Sequence, residues 1–201
     1  MEHYIITIGR EFGSRGREIG EKLGAALGIP VYDKEVIEIG AKKRGIRKTA
    51  YSYLDKLIDE KLNGYNTDRI RFESSYVNQM FELQAETIRE LAKEKSCIFI
   101  GRCADYVLEN YKNCINIFIF ASYSERYYHL LDEYGLTEEE TKTMIARVDR
   151  ARHEYYKHFT GRNRGDRQGR QLVIDSGLFG VEGTVAMLEG AIKARFGDTI
   201  S

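Results

Sequence analysis

The chain is 201 residues long, enough to bury one substantial core and short for two independent domains, so a single domain over 1–201 is expected. Lys and Arg total 31, as do Asp and Glu, so no global field draws the chain to nucleic acid or to a membrane, and any basic site is local. No apolar run approaches the ~20 residues of a membrane span, no basic and apolar leader opens the chain, and Cys97, Cys103 and Cys114 lack paired metal spacing, which predicts reduced thiols in a cytoplasmic protein.

Ile5, Ile6, Thr7 and Ile8 read as a buried strand, and Ile19, Leu23 and Leu27 follow at helical spacing. Between them Gly9, Gly13 and Gly16 permit unusual backbone angles, and the first amides of the helix point outward with a favourable dipole. Strand, glycine-bearing turn and helix start together make a phosphate cradle, with Ser14, Arg15 and Arg17 inside it. It is not a Walker loop, whose Gly-Lys-Ser/Thr sets a lysine on the phosphates and a hydroxyl on magnesium. In one register Gly16 stands at the lysine position and Arg17 at the hydroxyl; in the other Arg17 replaces the lysine and Glu18 the hydroxyl.

Residues 28–33 read as a turn and a short strand, with Asp33 capping a helix through Val36, Ile37 and Ile39. The polar stretch from 45 to about 66 reads as helical pieces at the edge of the core. Residues 75–95 carry the apolar stripe of a longer helix in Val77, Met80, Phe81, Leu83, Ile88 and Leu91. The apolar run 97–101 reads as a central parallel strand with Arg102 just beyond its C-terminal end; 115–121 repeats the pattern, 172–175 adds a fifth strand and 181–196 a closing helix. Five buried strands alternating with helices specify a three-layer α/β/α fold with a five-stranded parallel sheet and ligands at the strands' C-terminal ends.

In such a sheet the turn at 13–17, Asp33, Arg102 and the segment after Ala121 converge on one rim. A guanidinium at a strand end binds phosphate bidentately; the plain structural alternative for Arg102 is an ion pair with Asp105. Between the fourth and fifth strands Arg147, Arg150, Arg152, Arg162, Arg164, Arg167 and Arg170 crowd into 24 residues. A helix over 137–158 sets Arg147 and Arg150 at i,i+3 on one face, and the glycine-flanked stretch beyond it reads as a loop. An arginine-rich lid over 144–170 suits phosphoryl transfer, where the protein supplies positioning, electrostatics and exclusion of water. The blander reading is a solvated basic face balanced by Asp149, Glu154 and Asp166. Tyr155, Tyr156 and Phe159 among basic residues keep a nucleic-acid reading open, but their helical spacing and the zero net charge argue against it. The four histidines form no metal-binding pair, and Asp149 or Asp105 is a candidate indirect magnesium ligand.

Four ordered blocks carry a resemblance: Ile-Thr-Ile-Gly-Arg-Glu-Phe-Gly-Ser-Arg-Gly-Arg-Glu-Ile-Gly from residue 6, Leu-Gly-Ile-Pro-Val-Tyr-Asp-Lys-Glu from 27, Phe-Ile-Gly-Arg-Cys-Ala-Asp-Tyr from 99 and Tyr-Tyr-Lys-His-Phe-Thr-Gly-Arg from 155. Over nearly its whole length the chain resembles the bacterial cytidylate kinase-like proteins, relatives of nucleoside monophosphate kinases within the P-loop kinase fold. The resemblance implies ATP as donor, a pyrimidine monophosphate such as CMP as acceptor, and Mg2+ bridging the donor phosphates. It implies that Gly13, Ser14, Arg15, Gly16 and Arg17 hold the donor phosphates, with Arg152 and Arg162 completing the donor site. Asp33, Arg102 and Asp105 would form the acceptor site, and Arg147 and Arg150 with Arg17 would act on the transferring group. Residues 45–83 would form a helical acceptor subdomain, with Arg69 or Arg71 as phosphate contacts. Authentic cytidylate kinases carry Gly-Lys-Ser/Thr in the loop, and Arg15 stands where members of this subgroup commonly have glycine. A catalytically silent nucleotide-binding regulatory module is therefore the alternative to a kinase, and a homo-oligomer is left open.

Overall fold

The computed structural model describes residues 3–47, 56, 58, 60, 72 and 74–197. Most of the expected acceptor subdomain, including Arg69 and Arg71, lies outside the described residues. In chain order the elements are β1 (Ile5–Arg10), α1 (Gly16–Leu27), β2 (Val31–Tyr32), α2 (Val36–Lys43), α3 (Ser75–Glu94) and β3 (Cys97–Ile100). They continue as α4 (Ala104–Val107), β4 (Cys114–Phe120), α5 (Tyr123–Tyr134), α6 (Glu138–Thr160), β5 (Leu172–Asp175) and α7 (Ser176–Phe196). Every strand pairing is parallel, in the order β2-β3-β1-β4-β5. Parallel neighbours need crossover connections, so the helices cover both faces and the strands' C-terminal ends share one rim.

The strands are continuous apolar runs because both faces are covered. Ile6 and Ile8 of β1 point to one face, where Ile19 and Leu23 of α1 and Leu188 and Ile192 of α7 meet them. Ile5 points to the other, against Val36, Ile88, Leu91 and Phe99. Fully burying each such side chain stabilises by roughly 1.5–3 kcal/mol. Helix α1 approaches the sheet on a stripe of glycines at four-residue spacing, Gly16, Gly20 and Gly24. A Cβ on Gly20 would lie 2.8 Å from Cδ1 of Ile100, so small residues set how close the helix sits.

Four details differ from the sequence reading. Helix α5 follows β4, started by a capping box between Ser122 and Glu125 and stopped by Gly135 at φ +59°. Asp33 does not cap α2: the cap position is Glu35, and the Asp33 carboxylate turns toward two arginines. Helix α7 starts earlier than 181, with Asp175 accepting from the Gly177 N–H at 3.0 Å and a kink at Gly180. Arg102 pairs with Asp33, not with Asp105. The three thiols are free, and burial raises both Cys97 and Cys114 to about 12, which keeps them protonated. Among the described residues no helix is long and apolar enough to cross a membrane.

Candidate functional site: an arginine-lined cleft at the strand ends

A cleft of about 640 Å³ opens at the rim, lined by the end of β1, the loop into α1, the turn after β3, one face of α6 and the loop before β5. The loop from β1 to α1 turns on Gly13 at φ +80° and Arg15 at φ +56°. Left-handed backbone costs a non-glycine residue roughly 1–2 kcal/mol, so Arg15 occupies a position made for glycine. Helix α1 begins at Gly16 with no side-chain cap, leaving its first amides facing the cleft. Gly16 is thus the first helical residue and Arg17 the second, and neither is a lysine.

Buried staples hold the loop. Ser14 is 1% exposed, and its hydroxyl lies within hydrogen-bond reach of the carbonyls of Glu11 (3.0 Å) and Ile119 (3.2 Å). The Ser176 hydroxyl donates to the Ser14 carbonyl at 2.8 Å. Asp149 of α6 accepts from the Phe12 N–H at 3.1 Å and from Nη1 of Arg126 at 2.5 Å, and Arg126 also donates to the Phe12 carbonyl at 3.1 Å. The Ser14 side chain and Asp149 are thus spent on shaping the loop.

Arginines from four separate segments converge on the cleft. Arg10 ends β1, with Nη2 3.4 Å from Oδ2 of Asp33. Arg102, whose side chain is 5% exposed, lies with Nε 3.9 Å from Oδ1 of the same carboxylate. It sits in a run of three left-handed residues, Gly101, Arg102 and Cys103, and its carbonyl accepts from Nε2 of the fully buried Gln84 at 2.8 Å. Arg152 reaches in from α6 over the Phe12 ring, its centre 5.4 Å away. Arg164 donates to the Arg10 carbonyl and lies 3.5 Å from Asp149. Arg170 lies 4.2 Å above the Phe118 ring and 3.9 Å from Asp105, whose other partner is the Tyr156 hydroxyl at 2.9 Å.

Burial, followed by the charges of Arg10 and Arg164, pushes Arg152 well below its ordinary value. Burial pulls Arg164 down to about 10, with Asp149 opposing and Arg10 assisting. Burial and the charge of Asp105 raise Tyr156, which stays a hydroxyl donor. Partial burial, with repulsion among these half-buried cations added to it, marks a place prepared for an anion.

Of the residues singled out from sequence, Gly13, Arg15, Gly16, Arg17, Asp33, Arg102, Asp105 and Arg152 line the cleft. Arg17 and Arg15 stand at its edge, Arg17 bonded to Glu21 at 2.9 Å and Arg15 to Nδ1 of His129 at 3.3 Å. Arg147 and Arg150 are exposed and outside it. The buried stripe of α6 is Ile145, Val148, Ala151 and Tyr155, and at ~100° per residue Arg152 and Tyr156 flank that stripe on one side, Arg147 lies on its other flank and Arg150 falls nearly opposite. Arg162 also lies outside the cleft, bonded to Glu109 at 2.6 Å. Sequence reasoning gave no role to Arg10, counted Arg164 and Arg170 only among the arginines of the lid, and weighed Tyr156 only for nucleic acid; the signal for Arg10 was its place as the last residue of a central parallel strand.

Among the described residues no group of three His, Cys, Asp or Glu side chains is placed to hold a metal ion. The cleft's inner carboxylates, Glu11, Asp33 and Asp105, are each paired with an arginine. Such a donor set suits a hard cation that keeps its water and arrives on a phosphate ligand, not one caged by protein.

A family model described as the cytidylate kinase-like family matches residues 5–178. Among solved structures, an uncharacterized protein from Eubacterium ventriosum superposes with a TM-score of 0.72 at 24% identity, over 95% of this chain and 99% of that one. TT1252 from Thermus thermophilus gives 0.55 at 18% identity over 97% and 98% of the two chains. Shikimate kinase from Bacteroides thetaiotaomicron gives 0.53 at 12% identity over 94% and 98%. These likenesses establish the P-loop kinase fold. No curated protein matches the chain.

Proposed function

The chain belongs to the cytidylate kinase-like family, and on that premise we propose that it transfers the γ-phosphoryl group of ATP to a nucleoside monophosphate, CMP or a close relative. The observation that carries this reading is the convergence of Arg10, Arg102, Arg152, Arg164 and Arg170 on one cleft beside the uncapped start of α1. The chain works as one kinase-like domain over 1–201, with 45–83 serving the acceptor and 144–170 closing over it.

The donor phosphates lie on the first amides of α1, with Arg15 and Arg17 at the outer edge. Helix amides and dipole favour the β-phosphate there without any charge from Ser14. Arg102 and Arg170, anchored by Asp33 and Asp105, hold the acceptor phosphate. Arg152 and Arg164 face the transferring group, where three equatorial oxygens share negative charge, and they replace Arg147 and Arg150 in that role. Two guanidiniums fixed in a low-dielectric wall need no reorganisation as that charge develops. An acceptor phosphate oxygen is already anionic near neutral pH, so no general base is required. Glu11 or Asp33 would hold Mg2+ through its water shell, and the ion would supply charge neutralisation to the donor phosphates. Closure of the arginine-bearing segment excludes water as a competing acceptor.

Coupled measurement of ADP release with CMP, dCMP, UMP, AMP, shikimate and gluconate tests the reading. Turnover should be greatest with a pyrimidine monophosphate. Arg152→Ala with Arg164→Ala should lower kcat by about 10³-fold or more, while Arg147→Ala with Arg150→Ala should leave it within a few-fold. ATP binding without product from any acceptor would leave only a nucleotide-binding regulatory module.

A further inference from the structure

With glycine at 16, the loop has no lysine where helix α1 begins, and the space that such a side chain would enter is filled from the neighbouring strand. A Cβ on Gly16 would lie 2.5 Å from Cβ of Arg10 and 3.1 Å from its Cγ. No rotamer moves a Cβ, so the close approach of α1 to β1 excludes a lysine there. Arg10 alternates onto the same face as Ile6 and Ile8, beneath α1. Its side chain runs from under Gly16 past Gly101, whose missing Cβ leaves room for the guanidinium, and on to Asp33. That path joins the start of α1 to the end of β3, the two sides between which a phosphoryl group would pass.

The geometry points to Arg10 as the cation that binds the donor phosphates, standing in for the lysine of other phosphate loops. The assignment rests on the reading that the donor lies at the start of α1. Asp33 is one carboxylate between two guanidiniums, so the Arg10–Asp33–Arg102 group keeps a net positive charge. Its contacts of 3.4 and 3.9 Å are longer than the roughly 2.7–2.9 Å of a tight charge-assisted bond. A planar fork also spans two oxygens where an ammonium offers a point charge. Arg10 disfavours the charged forms of Arg152 and Arg164, so a polyanion seated on it relieves all three.

Calorimetric titration of the full chain with ATP, and separately with inorganic tripolyphosphate, tests the assignment. Arg10→Met should weaken both by about 10- to 100-fold with the circular dichroism spectrum unchanged, as loss of a charge-assisted phosphate contact predicts. Arg10→Gln repeats the measurement with a neutral side chain that still donates hydrogen bonds, and Arg10→Lys should recover part of the loss. Asp33→Asn, which breaks the ion pair and keeps the cation, should hold or tighten tripolyphosphate binding. If Asp33→Asn weakens binding as much as Arg10→Met, Arg10 is only a structural partner. That result, or Arg10→Met and Arg10→Gln within about 3-fold of wild type, overturns the assignment and leaves the kinase reading standing. A wild-type chain that binds neither ligand overturns the kinase reading and the assignment with it.

Discussion

Replacing Gly16 by alanine tests the packing that puts Arg10 in the cleft. The new Cβ would lie 2.5 Å from Arg10 Cβ, 3.1 Å from Arg10 Cγ and 3.4 Å from Ile119 Cβ. Carbon atoms settle at about 3.5–4.0 Å, so the first turn of α1 must lift by about an ångström against backbone-fixed atoms. Overpacking of this kind costs about 1–3 kcal/mol, against a gain of up to about 1 kcal/mol from the better helix propensity of alanine. The expected net loss is about 1–2 kcal/mol. Urea unfolding reads it as a lower midpoint at unchanged slope. In an Arg10→Gly background the crowding carbon is gone, and Gly16→Ala should be neutral or mildly stabilising, a coupling of about 1–2 kcal/mol. Arg10→Ala is the control: it deletes the guanidinium but keeps Cβ, and should rescue little. Equal costs of Gly16→Ala in the Arg10→Gly and Arg10→Ala backgrounds would refute the steric argument.

Two further outcomes follow from the loop's supports. Asp149→Ala strips the Phe12 N–H, Arg126 and Arg164 of a shared acceptor, and should cost about 2–4 kcal/mol by scanning calorimetry, with Asp149→Asn intermediate. A loss under about 1 kcal/mol would mean that Asp149 does not hold the loop. Burial, then the charge of Arg15, holds His129 below its usual 6.5. The unfolded chain therefore takes up the proton first as pH falls, so the contribution of His129 to stability is complete above 6.5 and is lost as pH drops through its folded value. His129→Gln should flatten the pH dependence of stability below 6.5, and an NMR titration midpoint at or above 6.5 would refute the placement.

The sheet was legible because strands covered on both faces must be apolar at every position, and the 97–101 and 115–121 runs fell within a residue of β3 and β4. The helix after β4 was signalled by Ser122 and Glu125 at capping-box spacing, a signal weak in isolation because Tyr123, Tyr127 and Tyr128 do not mark one apolar face. Asp33 reads locally as a helix cap, yet two arginines from β1 and the β3 turn claim it, and neither is near in sequence. The site arginines were harder still. Composition located the rich segment, but spacing alone gives faces of a helix without saying which face meets the cleft. Ile145, Val148 and Tyr155 narrow the answer to the two flanks of the buried stripe, and only the packing of α6 on the sheet shows that the flank with Arg152 and Tyr156, not the one with Arg147, meets the cleft. The bond from Arg164 to the Arg10 carbonyl joins segments 154 residues apart, a pairing no local pattern encodes.

The cleft's cations are costly to keep together without an anion, and the fold holds them together anyway. Arg152 and Arg164 are both pushed toward the neutral form, while the Ser14, Ser176 and Asp149 staples fix the loop between them. A side chain free to swing would relieve the repulsion by turning to water; guanidiniums tied to Asp149, the Arg10 carbonyl and the Phe12 ring cannot do so cheaply. An incoming polyanion then meets donors already in place and loses little to reorganisation. Placing one of those cations on β1 instead of α1 extends the same logic. The backbone of Arg10 is held by pairing with β4, so its guanidinium starts from a strand inside the sheet. Glycine at 16 is the structural condition for that arrangement, and the lysine missing from the loop is the consequence.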